Sequence, residues 1–257
     1  MQQSSSGNNQ DFIRQITTLG AIVGAFLINV VSNIFPLNGL NIGAISNTLF
    51  KDVLIIPANY AFAIWGIIYL GLFALGIYQF IPSQKEDTDL RNTAYLLVIA
   101  SVAQSIWVYL FLARFFMLSI VAMVGILIPL IIIHQRLEIG IKRVSRSKKY
   151  CLHAPISIYL SWISVATIVN VACALYFYNW NGWGITHTIW TVIMLFAAAA
   201  ISSVMVSKYQ DIPYTGVTVW ALVAIALKHW DNSLIRNVAL ALAIILMIIA
   251  IIQRWRN

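Results

Sequence analysis

Charged residues are the scarcest class in this sequence. Only 9% of its 257 residues are Asp, Glu, Lys or Arg, whereas 61% are hydrophobic. Soluble domains carry roughly 25% charged residues, because a folded chain needs a polar surface to stay in water. The composition therefore excludes an ordinary soluble domain and indicates a membrane protein.

Long apolar runs fill most of the chain. A run of about 17 to 25 residues crosses the ~30 Å hydrocarbon core of a bilayer as a helix. Eight such runs occur, at residues 16–36, 53–80, 93–113, 116–134, 155–178, 184–206, 212–228 and 235–252. They are continuously apolar, whereas barrel strands are shorter and alternate in polarity. The sequence predicts an all-α polytopic membrane protein with eight transmembrane helices, preceded by a polar disordered tail over residues 1–15.

Carboxylates are missing from the centres of all eight predicted helices. The eight acidic residues fall in tails or loops or at helix ends. Proton-coupled transporters use ionisable groups at mid-membrane depth, and acid–base catalysis uses paired carboxylates, so neither machinery is indicated. Cysteine is scarce too: Cys151 and Cys173 stand far apart, without metal-ligand or redox spacing. We expect no catalytic residues, no metal site and no disulfide framework.

Positive charge is distributed unevenly between the two ends of the predicted bundle. Eight alternating helices place twelve of the 16 Lys and Arg on the side of the N-terminus and four on the other. By the positive-inside rule both termini are cytoplasmic, in a multi-pass protein of the cell membrane. The basic loop "QRLEIGIKRVSRSKKY" is suited to contact anionic lipid headgroups. No aromatic platform interleaves with these charges, so no nucleic-acid partner is expected.

The four histidines allow two interpretations. His134 and His153 lie near the cytoplasmic ends of their predicted helices, and His187 and His229 lie near the outer ends. An outer pair of His187 and His229 could hold haem iron, because two imidazoles at one depth can serve as axial ligands. Alternatively, all four are interfacial residues bonded to water or backbone.

Aromatic, amide and small side chains form three stripes on the predicted helices. At ~100° per residue, each stripe spans a sector of about 80°. The stripes are Phe62, Trp65, Tyr69, Phe73 and Gly76 on the second helix, Ala100, Gln104, Trp107, Phe111 and Arg114 on the third, and Tyr159, Trp162, Ala166, Asn170 and Cys173 on the fifth. An unpaired amide in hydrocarbon costs several kcal/mol, so the stripes should face the bundle interior.

Two interpretations of the stripes remain open. In the first, the aromatic rings only pack and the amides bridge helices, with each bridge contributing roughly 0.6 to 2 kcal/mol. In the second, the stripes line a pocket. Ser161 and Ser164 lie on the other side of the fifth helix, where a hydroxyl can bond to a carbonyl one turn earlier. The loop "LNGLNIGAISNTLFKDV" is long and partly apolar, which favours a cap over the outer end of the stripes. Gly20 and Gly24 permit close helix packing, either within the monomer or at a dimer seam.

The stripe residues resemble a known family. The run "YLSWISVATIVN" resembles the fifth-helix signature of the tryptophan-rich sensory protein family, also called the translocator protein or peripheral benzodiazepine receptor family (TspO/MBR). Six of its residues match that signature identically: Tyr159, Leu160, Trp162, Ala166, Thr167 and Asn170. The stretches "IPANYAFAIWGIIYLGLFALG" and "QSIWVYLF" resemble the second- and third-helix patterns, with Gln104 in place of an Asn.

The resemblance implies a long form of this family. It implies a TspO-like five-helix bundle over residues 16–178, followed by a three-helix C-terminal extension over residues 179–257. It also implies an integral membrane binding or sensory protein, not an enzyme, whose pocket takes a tetrapyrrole (porphyrin or haem), a sterol-like molecule or a similar flat lipophilic ligand, with no required cofactor, often as a homodimer. The ligand-binding residues would be Phe62, Trp65, Tyr69, Gln104, Trp107, Trp162, Ala166 and Asn170. The alternative function is a secondary transporter or permease for a small uncharged or lipophilic solute.

Overall fold

Helices make up almost all of the ordered backbone. The computed structural model describes the backbone of residues 2–255 and the side chains of residues 9–255. Its helices are α1 (Gln2–Ile34), α2 (Ile42–Thr48), α3 (Ile64–Tyr78), α4 (Thr88–Leu112), α5 (Phe116–Arg136), α6 (Arg146–Lys148), α7 (Ala154–Phe177), α8 (His187–Tyr209), α9 (Ile212–Lys228) and α10 (Ser233–Trp255). A 3-10 turn (Asn59–Ala63) leads into α3, and a π-helical turn (Lys149–His153) leads into α7. No strand occurs between residues 2 and 255.

Eight of these helices correspond to the eight predicted spans. Within residues 2–255, seven helical segments are long and apolar enough to cross a bilayer. The eighth, α9, has 17 residues, which gives a length of about 26 Å at ~1.5 Å per residue, close to the thickness of the hydrocarbon core. The prediction of an all-α polytopic membrane protein is confirmed.

The first helix begins earlier than the sequence predicts. Residues 9–15 belong to α1, so the prediction of a disordered tail over 1–15 is wrong there; Met1 lies outside the described residues. The buried polar side chains of this segment have partners: Asp11 pairs with Arg91, and the Gln15 and Gln79 amides donate to each other's backbone carbonyls at 2.5 and 3.0 Å. These partners offset the cost of burying polar groups, which hydropathy alone does not register.

The second predicted span begins later than its apolar run. Residues 53–58 are not helical, and the 3-10 turn starts at Asn59. Pro57 explains the delay, because proline lacks an N–H and its ring disfavours helical geometry at the preceding residue. The loop before Pro57 contains α2. Asn41 caps the first turn of this helix, because its Oδ1 accepts the Ala44 N–H at 2.8 Å. Phe50 is fully buried, so the loop is a packed cap, as predicted.

The long helices form a bundle of five with a layer of three beside it. Helix α4 packs against α1 and α5, α3 packs against α1 and α7, and α5 packs against α7. Helices α8, α9 and α10 pack on one another and meet the bundle along α7 and at the 3-10 turn before α3. Gly20 and Gly24 have no other side chain within 4 Å of where a Cβ would stand, so this pair is not an interface within the monomer.

One buried carboxylate ties the layer of three to the bundle. Asp211 accepts the Tyr214 N–H at the start of α9 at 3.0 Å, and its other oxygen accepts from Ser157 of α7 at 2.8 Å. The same oxygen lies 2.8 Å from the Nε2 of His134 on α5. For His134, the interpretation as an interfacial residue bonded to water or backbone is wrong. Asp211 therefore links α5, α7 and α9 at the basic end of the bundle.

Candidate functional site

The three stripes meet around one cavity at the end of the bundle covered by α2. Its volume is about 50 Å³. Helices α3, α4, α5 and α7 form its walls, and Ile42 and Ser46 of α2 form its roof. Six of the eight predicted ligand-binding residues line it: Phe62, Trp65, Trp107, Trp162, Ala166 and Asn170. Their role in binding stays a prediction, but the structure brings them together at one place.

Aromatic rings make up much of the cavity wall. The rings of Phe62 and Trp162 meet edge to face, with centroids 5.9 Å apart and planes at 86°. Trp107 lies beside Phe111, with centroids 5.3 Å apart. Such walls present both ring faces and ring edges, the two surfaces against which a flat conjugated ligand packs best.

Asn170 joins three helices at the cavity wall. Its Oδ1 accepts the Trp107 indole N–H from α4 at 3.2 Å, and its Nδ2 donates to the Ser119 hydroxyl of α5 at 3.1 Å. Ser119 gives its own proton to the Phe116 carbonyl at 2.7 Å. An amide has two acceptor lone pairs and two N–H groups. Asn170 therefore bridges helices, and these two bonds leave one lone pair and one N–H of the amide at the cavity wall.

A hydrogen-bonded layer lies beneath the cavity. The Tyr159 hydroxyl donates to the Gln104 Oε1, the Gln104 Nε2 donates to the Tyr69 hydroxyl at 2.6 Å, and Tyr69 donates to the Ala25 carbonyl at 3.2 Å. Trp65 rests on this layer, stacked on Tyr69 with centroids 5.8 Å apart. Of the predicted ligand-binding residues, Tyr69 and Gln104 thus lie off the cavity wall. Their polar atoms bond within the protein and support the wall residue above them.

One comparison with known proteins identifies the family of the chain. A sequence model of the family described as TSPO-like protein matches residues 15–252. The chain belongs to this family. The matched region includes α8, α9 and α10 up to residue 252, so the family's pattern extends into the last three helices. No curated protein and no solved structure matches this TSPO-like protein.

Several wall residues of this TSPO-like protein were not predicted. Met123 comes from the fourth predicted span, and Ile42 and Ser46 come from the cap. Ser119 of the same span does not line the cavity but accepts a hydrogen bond from Asn170, and its signal in the sequence is that of a polar residue inside an apolar run. Ser164 bonds to the Leu160 carbonyl at 2.8 Å as predicted.

The prediction for Ser161 is wrong. Its hydroxyl donates to the Tyr214 carbonyl of α9 at 2.7 Å, across the boundary between the bundle and the layer of three. A serine that packs against another helix finds an acceptor there, and helical angle alone does not show which helix is adjacent.

A second, outer groove lies where α7 and α8 meet the end of the long loop. Its volume is about 60 Å³, and Trp180, Trp190, Tyr176 and His187 line it. His229 is not one of its wall residues; its ring is hydrogen bonded to the backbone of Leu54. Burial lowers the pKa of the His229 imidazole, and the neighbouring lysine charge acts in the same direction. The structure does not bring His187 and His229 together in one cavity.

Proposed function

We propose that this TSPO-like protein is a membrane receptor that binds a flat, largely apolar ligand of the tetrapyrrole class in the central cavity. The observation that carries the proposal is the convergence of Trp65, Trp107, Trp162 and Asn170 from three helices on one capped cavity. Ligand pockets are typically apolar and aromatic, with a few polar groups that fix orientation. Here the spare lone pair and N–H of Asn170 are such groups. Binding without catalysis is the proposed activity.

Ligand entry requires the cap to move. The cavity holds about 50 Å³, whereas pockets for drug-sized ligands hold roughly 300 to 1,000 Å³. Helix α2 is the element able to give way, because it has only seven residues and its connections to α1 and α3 are not long helices. A receptor whose cap shifts on binding has a means of signalling occupancy to a partner. Sterol-like ligands fit the same apolar walls.

The same cavity also bears on the alternative of a secondary transporter. A solute that crosses the membrane through this bundle must pass the layer formed by Tyr159, Gln104 and Tyr69. All three residues are buried and bonded to each other, which favours a closed receptor. Flux of a lipophilic solute in proteoliposomes, insensitive to ion gradients, would favour transport instead.

Placement in the membrane and assembly are further proposals. We propose the cell membrane as the location, with the basic end and both termini in the cytoplasm and with anionic lipid beside the basic loop. The face of α1 that carries Gly20 and Gly24 is open in the monomer, which suits a homodimer. Replacing both glycines with leucine should then convert a dimeric mass in detergent to a monomeric one.

A titration with protoporphyrin IX tests the proposed site. We expect saturable binding, followed by porphyrin fluorescence, and a Kd raised by about 30-fold or more in the double variant Trp65→Ala, Asn170→Ala, because central aromatic anchors contribute about 2 kcal/mol or more each. The matched control is Trp183→Ala, which removes a tryptophan that is 76% exposed and outside the cavity. No binding by the wild type, or equal Kd values for all variants, would refute the assignment.

A further inference from the structure

The outer groove between α7 and α8 combines aromatic rings with one carboxylate. Its walls carry two tryptophans, a tyrosine and a histidine, and Asp52 is the acidic residue among them. Most of the remaining wall residues are apolar. The groove shares no wall residue with the central cavity, so what it binds is a question separate from the proposed function.

Asp52 lies in this groove without a cationic partner. Its Oδ2 accepts the Tyr176 hydroxyl at 3.1 Å, and no lysine, arginine or histidine of the described residues forms an ion pair with it. Lys51 precedes it in the chain but is not a wall residue. A carboxylate offers about four acceptor sites, and Tyr176 uses one of them. Asp52 therefore retains most of its capacity to interact with a positive group in the groove.

Trp180 and Trp190 form an aromatic corner of the same groove. Their centroids are 5.2 Å apart, with planes at 54°, and both side chains are half-buried. The Trp190 indole N–H donates to the Gly182 carbonyl at 2.9 Å. An ordinary interfacial tryptophan directs its N–H to water or lipid headgroups. Trp190 is instead held by the protein, which fixes its ring as part of the wall.

In the part of the chain that the structure describes, no lysine or arginine lies over either of these rings. The cation–π contacts there are Arg236 with Trp230, at 5.1 Å, and Lys208 with Tyr209, at 5.2 Å. A cation within about 6 Å of a ring centroid is attracted to the ring face, most strongly to tryptophan, and several such rings together recognise quaternary ammonium groups. Unpaired tryptophans beside an unpaired carboxylate are thus suited to an external cation.

The size of the groove limits the class of cation. Its volume of about 60 Å³ is roughly that of two water molecules in the liquid, well below the 300 to 1,000 Å³ or so of a site for a drug-sized molecule. A compact group that fills so small a groove lies against its walls. The apolar wall residues favour a cation that carries methyl groups over a strongly hydrated primary ammonium.

We propose that the outer groove binds an alkylated ammonium group, with Asp52 as the counter-charge and Trp180 and Trp190 as aromatic walls. The apolar side chains of Leu175 and Met194 supply contacts for its methyl groups. A soluble organic cation and the choline headgroup of a lipid present the same trimethylammonium chemistry, so both are sources of this group. The site is additional to the central cavity and functions whether or not a porphyrin binds there.

Choline and its neutral isostere dimethylbutanol test the proposal, because a tert-butyl group replaces the trimethylammonium group at nearly constant shape. Saturation-transfer NMR of the methyl protons follows both in dodecyl maltoside micelles, which carry no charge. We expect the wild type to bind choline about 10-fold or more tightly than the alcohol, and Asp52→Asn to abolish this preference. Trp180→Leu and Trp190→Leu should each weaken choline binding about 3- to 30-fold.

Matched variants separate the site from general surface effects. Asp231→Asn removes an exposed carboxylate from the same end of the bundle, and Trp255→Leu removes a tryptophan that is 86% exposed and outside the groove. Both should leave choline binding unchanged. Asp52→Glu keeps the charge and should keep most of the preference for choline, which a variant that merely disturbs the fold would not do.

Three results would overturn the proposal. They are equal binding of choline and the alcohol by the wild type, a preference that survives Asp52→Asn, and a preference that Asp231→Asn removes equally.

Competition with short-chain lipids identifies the source of the ammonium group. Displacement of choline by diheptanoylphosphatidylcholine, but not by diheptanoylphosphatidylglycerol, would support the site and assign it to a lipid headgroup. Displacement by neither lipid would support the site and assign it to a soluble cation. Displacement by both would mean that apolar chains fill the groove, and it would overturn the proposal.

Discussion

The layer beneath the cavity gives a quantitative test through the bond from Tyr159 to Gln104. Tyr159→Phe removes the donor and leaves the Gln104 Oε1 buried without a partner, at a cost of about 1 to 2 kcal/mol of unfolding free energy. Gln104→Leu removes the acceptor of Tyr159 and the donor to Tyr69 together, at about 2 to 3 kcal/mol. Tyr69 loses only one of its bonds, because its hydroxyl still donates to the Ala25 carbonyl at 3.2 Å.

The double variant should cost less than the sum of the two single variants. Once Gln104 is leucine, Tyr159 has no acceptor to lose, so the second substitution removes an unsatisfied hydroxyl. We expect a coupling energy of about 1 kcal/mol, within the range up to roughly 1.7 kcal/mol measured for buried pairs in membrane proteins. Equilibrium unfolding in dodecyl maltoside micelles titrated with SDS measures all four free energies.

A second cycle provides the control for this measurement. Tyr159→Phe combined with Ser164→Ala should be additive, because Ser164 bonds to a carbonyl of its own helix at 2.8 Å. The reasoning is refuted if the unfolding free energy lost in the double variant equals the sum of the losses in Tyr159→Phe and Gln104→Leu to within about 0.3 kcal/mol. They would mean that the two side chains do not share a bond, and the support for Trp65 would need another source.

Two more substitutions test how the layer of three is held to the bundle. Asp211→Ala should lower the unfolding free energy by about 3 to 5 kcal/mol, since it leaves buried imidazole and hydroxyl groups unpaired, whereas the exposed Asp231→Ala should change it by under about 0.5 kcal/mol; equal effects would contradict the proposed link. Gly140→Ala should cost well over the ~1 to 2 kcal/mol of its left-handed φ of +83°, because the new Cβ would lie 1.5 Å from the Tyr209 carbonyl oxygen. Gly39→Ala, with a φ of +76° and open space, is the control that isolates this clash in the same unfolding assay.

The membrane fold and much of the cavity wall could be predicted because both depend on local regularity. Apolar run length sets where a helix crosses the bilayer, and ~100° per residue sets which side chains share a face. The cost of exposing an amide to lipid then turns the stripes inward, which is why Gln104 and Asn170 are both buried. None of these arguments depends on which helices are neighbours in the bundle.

The remaining features depend on contacts between distant parts of the chain. The apolar run extends across Pro57, so hydropathy alone does not show that residues 53–58 before α3 are not helical. Ser161 and Asp211 bond to residues more than 50 positions away, and such pairs follow from the relative rotation of packed helices. For the same reason, the sequence could not show that Tyr69 and Gln104 support the wall from beneath.

The contacts of α9 argue against treating the last three helices as a separate unit. The division at residue 178 stays a prediction, but α9 supplies Tyr214 to Ser161, Asp211 marks its start, and Trp220 and Ala224 bond to the segment that enters α3. A chain without α9 would leave the Ser161 hydroxyl and the Ala58 N–H without these partners, beside the cavity itself. Helix α9 thus holds Ala58 and Ala61, the chain neighbours of the wall residues Pro57 and Phe62, although it lies after residue 178.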